Sequence, residues 1–137
     1  MGKRLILVGG GHAHMMTLAN IHRLVRCGHR VTVIGPSEHH YYSGMGPGML
    51  GQFYTPEEIR FATRRVVETQ GGTFVRAKAT RIDPEKQTVM TDSGRAYPYD
   101  VVSFNSGSFV PCAMVENAGP AIFAVKPMEG LLQARKW

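Results

Sequence analysis

Residues 5–14 read Leu5-Ile6-Leu7-Val8-Gly9-Gly10-Gly11-His12-Ala13-His14. Four consecutive apolar residues, two of them β-branched, suit a strand buried on both faces, as in a parallel sheet. Three glycines follow, and a helical pattern begins at once. Such a turn aims the free N–H groups of the helix, and the positive end of its dipole, at whatever lies above it. A pyrophosphate fits there, because glycine leaves room for both the tight bend and the phosphates. The stretch therefore points to a dinucleotide site. The plainer alternative is a Gly-rich βα turn that holds no ligand.

The motif departs from the full G-x-G-x-x-G fingerprint, since the third glycine is replaced by His14. That glycine normally lets helix and strand pack closely, so His14 implies a wider contact or a different tilt. The strand before, the helix after and a second strand at the right distance give the motif its weight.

A chain of 137 residues, 43% hydrophobic and 19% charged, fits one domain with a real core. No apolar run approaches the roughly 20 residues of a membrane span, and the apolar stretch after Met1-Gly2-Lys3-Arg4 is too short for a signal peptide. Two cysteines, Cys27 and Cys112, make no disulfide framework and suit a reducing cytoplasm. The net charge of +6 is scattered, with one cluster at Arg60, Arg64 and Arg65. Without an aromatic platform beside it, that cluster reads as a solvated helix face or an interface, and nucleic acid is not expected as a partner.

Taken in order, the first helix is expected from His12 to Cys27. Met15, Leu18, Ala19, His22 and Val25 would face the sheet, with Asn20, Arg23 and Arg26 facing water. Gly28 suits the C′ position, and Arg30 to Ile34 forms the next strand. The resulting βαβ unit is expected to be right-handed. An acid for the adenosine ribose is due about 20 residues past the motif, but Gly35 stands there. Ser37 or Glu38 would bind the ribose from the loop instead, which favours FAD over an exchangeable NAD.

Four glycines and a proline between His39 and Gly51 predict an irregular loop able to wrap a flat aromatic ligand. A second helix is announced by the capping box Thr55…Glu58, with Pro56 at N1 and a Tyr54–Ile59 staple. Ile59, Ala62 and Val66 would form its buried stripe, ending at Gly71-Gly72. Thr73 to Ala77 reads as a third parallel strand. Residues 79–98 alternate in short pieces broken by turns, a β-meander, and Val101 to Asn105 returns to a buried strand.

This order resembles the pyridine nucleotide-disulfide oxidoreductase superfamily, whose FAD domain runs from phosphate turn to meander to a Tyr-Asp strand ending in Ala-Thr-Gly. Here that strand is Tyr99-Asp100-Val101-Val102-Ser103-Phe104-Asn105-Ser106-Gly107-Ser108, with Asn105-Ser106 in place of Ala-Thr. Gly9-Gly10-Gly11-His12-Ala13-His14, Tyr42-Ser43-Gly44-Met45-Gly46-Pro47-Gly48 and Val125-Lys126-Pro127 resemble the type II NADH dehydrogenase-like branch, including members associated with selenide water dikinase.

The resemblance implies an α/β fold, a Rossmann-like parallel sheet of the FAD/NAD(P)-binding type with a small meander insertion. It implies that Gly9, Gly11, His12 and Ala13 offer N–H groups to the FAD pyrophosphate. Ser37 or Glu38 would take the ribose, and Ala79 would meet adenine through its backbone. Ser43, Gly44, Met45 and Pro47 would approach the isoalloxazine ring, while Ser106 and Gly107 close over the cofactor. Residues 1–127 would be the N-terminal part of a FAD-binding domain, with 128–137 starting the linker to an NAD(P)H-binding domain. Alone, the chain is expected to bind FAD weakly or not at all and not to turn over. The whole protein would pass hydride from NAD(P)H to FAD and then to a quinone or similar acceptor. It would sit in the cytoplasm, with peripheral contact to a membrane left open.

Other readings stand beside this one. A non-redox nucleotide-binding module needs only the first turn. A sulfide:quinone-type enzyme would use Cys112, although a single free cysteine is more often a small buried residue. His12-x-His14 and His39-His40 could hold a transition metal, but no third ligand set accompanies them, so no metal site is expected.

Overall fold

The computed structural model describes residues 1–110 and 119–137. In chain order the elements are β1 (Arg4–Val8), a 3-10 turn (His12–His14), α1 (Met15–Ala19), α2 (Ile21–Arg26), β2 (Arg30–Gly35) and β3 (His40–Tyr41). A second 3-10 turn (Ser43–Met45), α3 (Gly46–Leu50), β4 (Arg60–Phe61), α4 (Thr63–Thr69) and β5 (Thr73–Arg76) follow. The remainder is β6 (Ala79–Asp83), β7 (Thr88–Thr91), β8 (Ala96–Pro98), β9 (Val101–Phe104) and α5 (Glu129–Lys136). The described residues form two units: 1–40 with 62–106, and 41–61 with 107–137.

The first unit is an α/β fold around a parallel sheet in the order β5-β2-β1-β9. The apolar run at its start is explained by the register. Leu5 and Leu7 lie beside Val31 and Val33, whereas Val8 lies beside Ile34. Leu7, Val31 and Val33 pack with Leu18, Ile21 and Val67 from the helices. Successive strand residues point to opposite faces, so Ile6, Val8 and Ile34 meet Val89 of β7 and Tyr99 in a second cluster. Both faces are covered, and no alternation survives in the sequence. The expected meander is the antiparallel sheet β6-β7-β8.

Three expectations fail locally. The first helix is not continuous from His12 to Cys27. It opens as a 3-10 turn and breaks at Asn20 (φ −119°, ψ 16°). The Asn20 amide donates to the Met16 carbonyl at 2.8 Å, the local side-chain bonding by which Asn competes with helix. The break rotates the buried stripe, so Ile21 is fully buried while Ala19 is exposed. Gly28 does end α2, at φ +83°, with the His29 N–H on the Leu24 carbonyl.

The second helix starts at Thr63 rather than at Thr55. The capping box forms, with the Thr55 N–H on Glu58 Oε2 at 2.7 Å and the Glu58 N–H on Thr55 Oγ1 at 3.3 Å. It closes only a turn. The Ile59 carbonyl accepts from the Tyr42 N–H, and residues 60–61 are drawn into the pair β3-β4. Thr63 and Val67 become the buried stripe of α4, and Val66 is exposed.

Residues 39–51 are not irregular throughout. In the second unit Gly46–Leu50 is α3, with Pro47 in the first turn, where its missing N–H costs nothing. Met49, Ile59 and Met128 form that unit's core, joined by Tyr41, Met45, Leu131 and Leu132. Packing against α5 sustains a helix too short to persist alone. Met128, and Leu131 and Leu132 of α5, belong to this core. Among the described residues no helix is long and apolar enough to cross a membrane.

Candidate functional site: the glycine turn after the first strand

β1 delivers the chain to Gly9, whose φ of +89° belongs to the left-handed region that favours glycine. Its N–H does not face outward, because it donates to the Ile34 carbonyl at 2.8 Å. Gly9 therefore serves through its bend. A Cβ here would lie 2.1 Å from the Asn105 carbonyl oxygen. A Cβ on buried Gly11 would lie 2.6–2.7 Å from the Asn105 side-chain amide. At Gly10 the neighbour is Thr63, at 3.0 Å. A side chain is excluded by backbone at Gly9, would displace the Asn105 amide at Gly11 and would crowd Thr63 at Gly10, so the turn presents backbone. The 3-10 turn starts immediately, with the His14 N–H on the Gly11 carbonyl at 3.0 Å, and the first N–H groups of such a turn have no acceptor within it. His12 and Ala13 are exposed there.

His14, at the third-glycine position, points inward and is 4% exposed. Its Nδ1 lies 2.7 Å from the Gly9 carbonyl and its Nε2 2.9 Å from Ser103 Oγ. A carbonyl only accepts, so Nδ1 carries the proton and donates to Gly9. The imidazole fills the space a glycine would leave and ties the turn to β9.

Asn105 ends that strand, its N–H on the Val8 carbonyl at 2.8 Å. Its Nδ2 is buried without a hydrogen-bond partner. Sequence reasoning passed over Asn105, Ser103 and Thr63. Only the replacement of Ala-Thr by Asn105-Ser106 hinted at the first.

Beyond β2, Ser37 Oγ accepts from the His39 N–H at 3.2 Å. Glu38 is engaged by Arg64, with Nη1 to Oε1 at 2.8 Å and the Arg64 N–H on the Glu38 carbonyl at 3.1 Å. Arg64 also holds Glu68 at 3.0 Å. Hydrogen bonds to Glu38, and then to Glu68, raise the Arg64 pKa. Of the basic cluster, Arg64 is thus committed to two carboxylates. Ala79 opens β6 opposite Thr91 and packs on the meander-side core. Ser106 is exposed.

The other predicted residues belong to the second unit. Ser43, Gly44 and Met45 form its 3-10 turn and Pro47 lies in α3. Gly107 adopts φ +79° with open space where a Cβ would stand. The glycines of 44–48 face the chain's own side chains: Tyr42 at Gly44, Met128 and Leu131 at Gly46, and Tyr54 at Gly48. Cys112 lies outside the described residues.

No family model matches the chain. It is 24% identical over 106 residues to a type II NADH:quinone oxidoreductase of Staphylococcus saprophyticus, covering 77% of this chain and 26% of the relative. It is 26% identical over 121 residues to one of Staphylococcus epidermidis, covering 85% and 30%. The sulfide:quinone oxidoreductase structure from Aquifex aeolicus superposes with a TM-score of 0.82 at 22% identity, over 98% of this chain and 31% of that one. These likenesses agree with the resemblance to the pyridine nucleotide-disulfide oxidoreductase superfamily read from the sequence. Another structure of this fold, NDH2 from Plasmodium falciparum in complex with NADH, gives a TM-score of 0.79 at 17% identity over 99% of this chain. The family's Rossmann-like sheet with a meander is the fold described above, and the chain spans 26–30% of these curated relatives' length.

Proposed function

We propose that this chain forms the N-terminal part of the FAD-binding domain of an NAD(P)H-dependent oxidoreductase, and that the turn at Gly9–Gly11 seats the FAD diphosphate. The supporting observation is a bend at φ +89° with no room for side chains and an unpartnered amide donor, Asn105 Nδ2, lying against it. Those features fit an anion carried by backbone N–H groups. In this reading Gly11, His12 and Ala13 supply the N–H groups, and Gly9 supplies the bend. Ser37 or Glu38 takes the ribose hydroxyls, the Ala79 backbone meets adenine, and Ser106 with Gly107 covers the strand end. The Ser43–Pro47 segment keeps the role the family resemblance gives it, approach to the isoalloxazine. When bound, the flavin supplies hydride acceptance from NAD(P)H and electron delivery to a quinone or similar acceptor, while the protein binds and orients it. The names of the staphylococcal relatives support the quinone end of that scheme.

The test is titration of FAD with the purified chain, following quenching of flavin fluorescence with ADP as competitor. Weak, saturable quenching reversed by ADP is expected of the chain alone at most. A protein carrying the whole FAD-binding domain that binds neither FAD nor ADP overturns the reading.

A further inference from the structure

We propose that Asn105 is a direct diphosphate-binding residue of the glycine turn; this rests on the reading of that turn as a dinucleotide site. Asn105 stands where β9 ends, held by its N–H on the Val8 carbonyl. Its amide fills the volume that a Gly11 side chain would take, with Nδ2, Cγ and Oδ1 all 2.6–2.7 Å from that Cβ position. The absence of a side chain at Gly11 and the presence of an amide at Asn105 are therefore one arrangement. It sets a polar group against Gly11 of the turn.

The amide gains nothing from the protein itself. Nδ2 is removed from water and has no acceptor, the condition under which a polar group costs the fold its full desolvation. An apolar residue of this size would pack there without that penalty. Among buried side-chain nitrogen and oxygen atoms of the described residues, this is the one left unpartnered. It lies at the turn already read as the anion site. A phosphate oxygen on that turn is the acceptor it lacks, and a bond to a charged acceptor is stronger than a neutral one. Asn105 as a whole is only partly buried, and turning the amide about its last torsion exchanges its donor and acceptor ends.

The experiment uses the 137-residue chain and two probes, ADP and adenosine, by calorimetry, with Asn105→Ala and the isosteric Asn105→Asp. Alanine is expected to raise the ADP dissociation constant about tenfold, the scale of one charge-assisted hydrogen bond. Aspartate, an acceptor facing an anion, is expected to raise it about a hundredfold. Adenosine binding stays unchanged in both variants, and the ligand-free urea midpoint of Asn105→Ala stays level or rises. ADP affinity unaltered in both variants overturns this inference while leaving the dinucleotide reading intact. Equal losses for ADP and adenosine overturn it as well, by showing a general disturbance. If alanine lowers the ligand-free midpoint, the aspartate arm decides. Where the chain alone binds neither probe, the same variants are made in a protein carrying the whole FAD-binding domain. A wild type of that protein that binds neither probe overturns the dinucleotide reading and this inference together.

Discussion

Nε2 of His14 lies 2.9 Å from Oγ of Ser103, so the residue at the third-glycine position is wired to the strand it would otherwise have to approach closely. The opposite ring nitrogen holds the Gly9 carbonyl. Removing the ring takes a partner from two part-buried polar groups and leaves a cavity between helix and strand. His14→Ala is expected to cost about 2–4 kcal/mol in urea unfolding. His14→Gly restores the usual motif residue yet should be no better, because the helix here is spaced for an imidazole. A glycine variant as stable as wild type would refute that spacing argument.

Arg4 and Asp100 join the start of β1 to the residue before β9. Arg4 Nη2 meets Asp100 Oδ1 at 2.9 Å, its backbone N–H meets Oδ2, and the Asp100 N–H returns to the Arg4 carbonyl. The Arg4 side chain, and then its backbone N–H, hold the Asp100 carboxyl well below the usual range. A carboxyl depressed in the folded state contributes stability that is present above its unfolded pKa, about 3.9. That stability is lost as pH falls from there through the folded value. Glu58, lowered by the Thr55 N–H, acts in the same direction. Thermal unfolding from pH 2 to pH 7 should show a smaller acid loss for Asp100→Asn than for wild type, with near-parallel curves above pH 5. Parallel curves below pH 4 would exclude the pair as a source of acid sensitivity.

Two left-handed glycines separate conformational strain from steric exclusion. Gly28 has φ +83° and open space around its Cβ position, whereas Gly9 has φ +89° and a backbone oxygen 2.1 Å away. Gly28→Ala should cost only the left-handed penalty, roughly 1–2 kcal/mol. Gly9→Ala adds a backbone clash that no rotamer relieves, and should lose cooperative unfolding or FAD binding outright. Equal losses at the two positions would show that strain alone decides.

The contrast explains how much of the fold was legible. Leu5 to Val8, the turn and β2 could be read because each depends on neighbours within 30 residues and on a period. The meander was marked by its own turn residues, Pro84 and Gly94. The helix break at Asn20 was not legible, since a single side-chain bond to Met16 outweighs a continuous apolar stripe. Nor was α3, whose five residues owe their helical state to Met128 and Leu131, some 80 positions away. At the candidate site the glycines announced themselves, while Asn105 and Ser103 reach the turn only through the pairing of β1 with β9.

Glu38 offers the last test, because its carboxylate has two claimants. Arg64 holds it at 2.8 Å on an exposed surface, and exposed pairs contribute little to stability. A ribose hydroxyl at the end of β2 would bond the same oxygens. If Glu38 takes the ribose, Arg64→Ala frees the carboxylate and should leave ADP affinity level or raise it. Glu38→Ala should lower affinity for ADP and adenosine alike by about tenfold, the worth of a bond to a charged group. If Ser37 takes the ribose instead, Glu38→Ala changes neither and Ser37→Ala weakens both. Calorimetry on the three variants separates the two, because the Asn105 effect is confined to ADP while a ribose contact must also appear with adenosine.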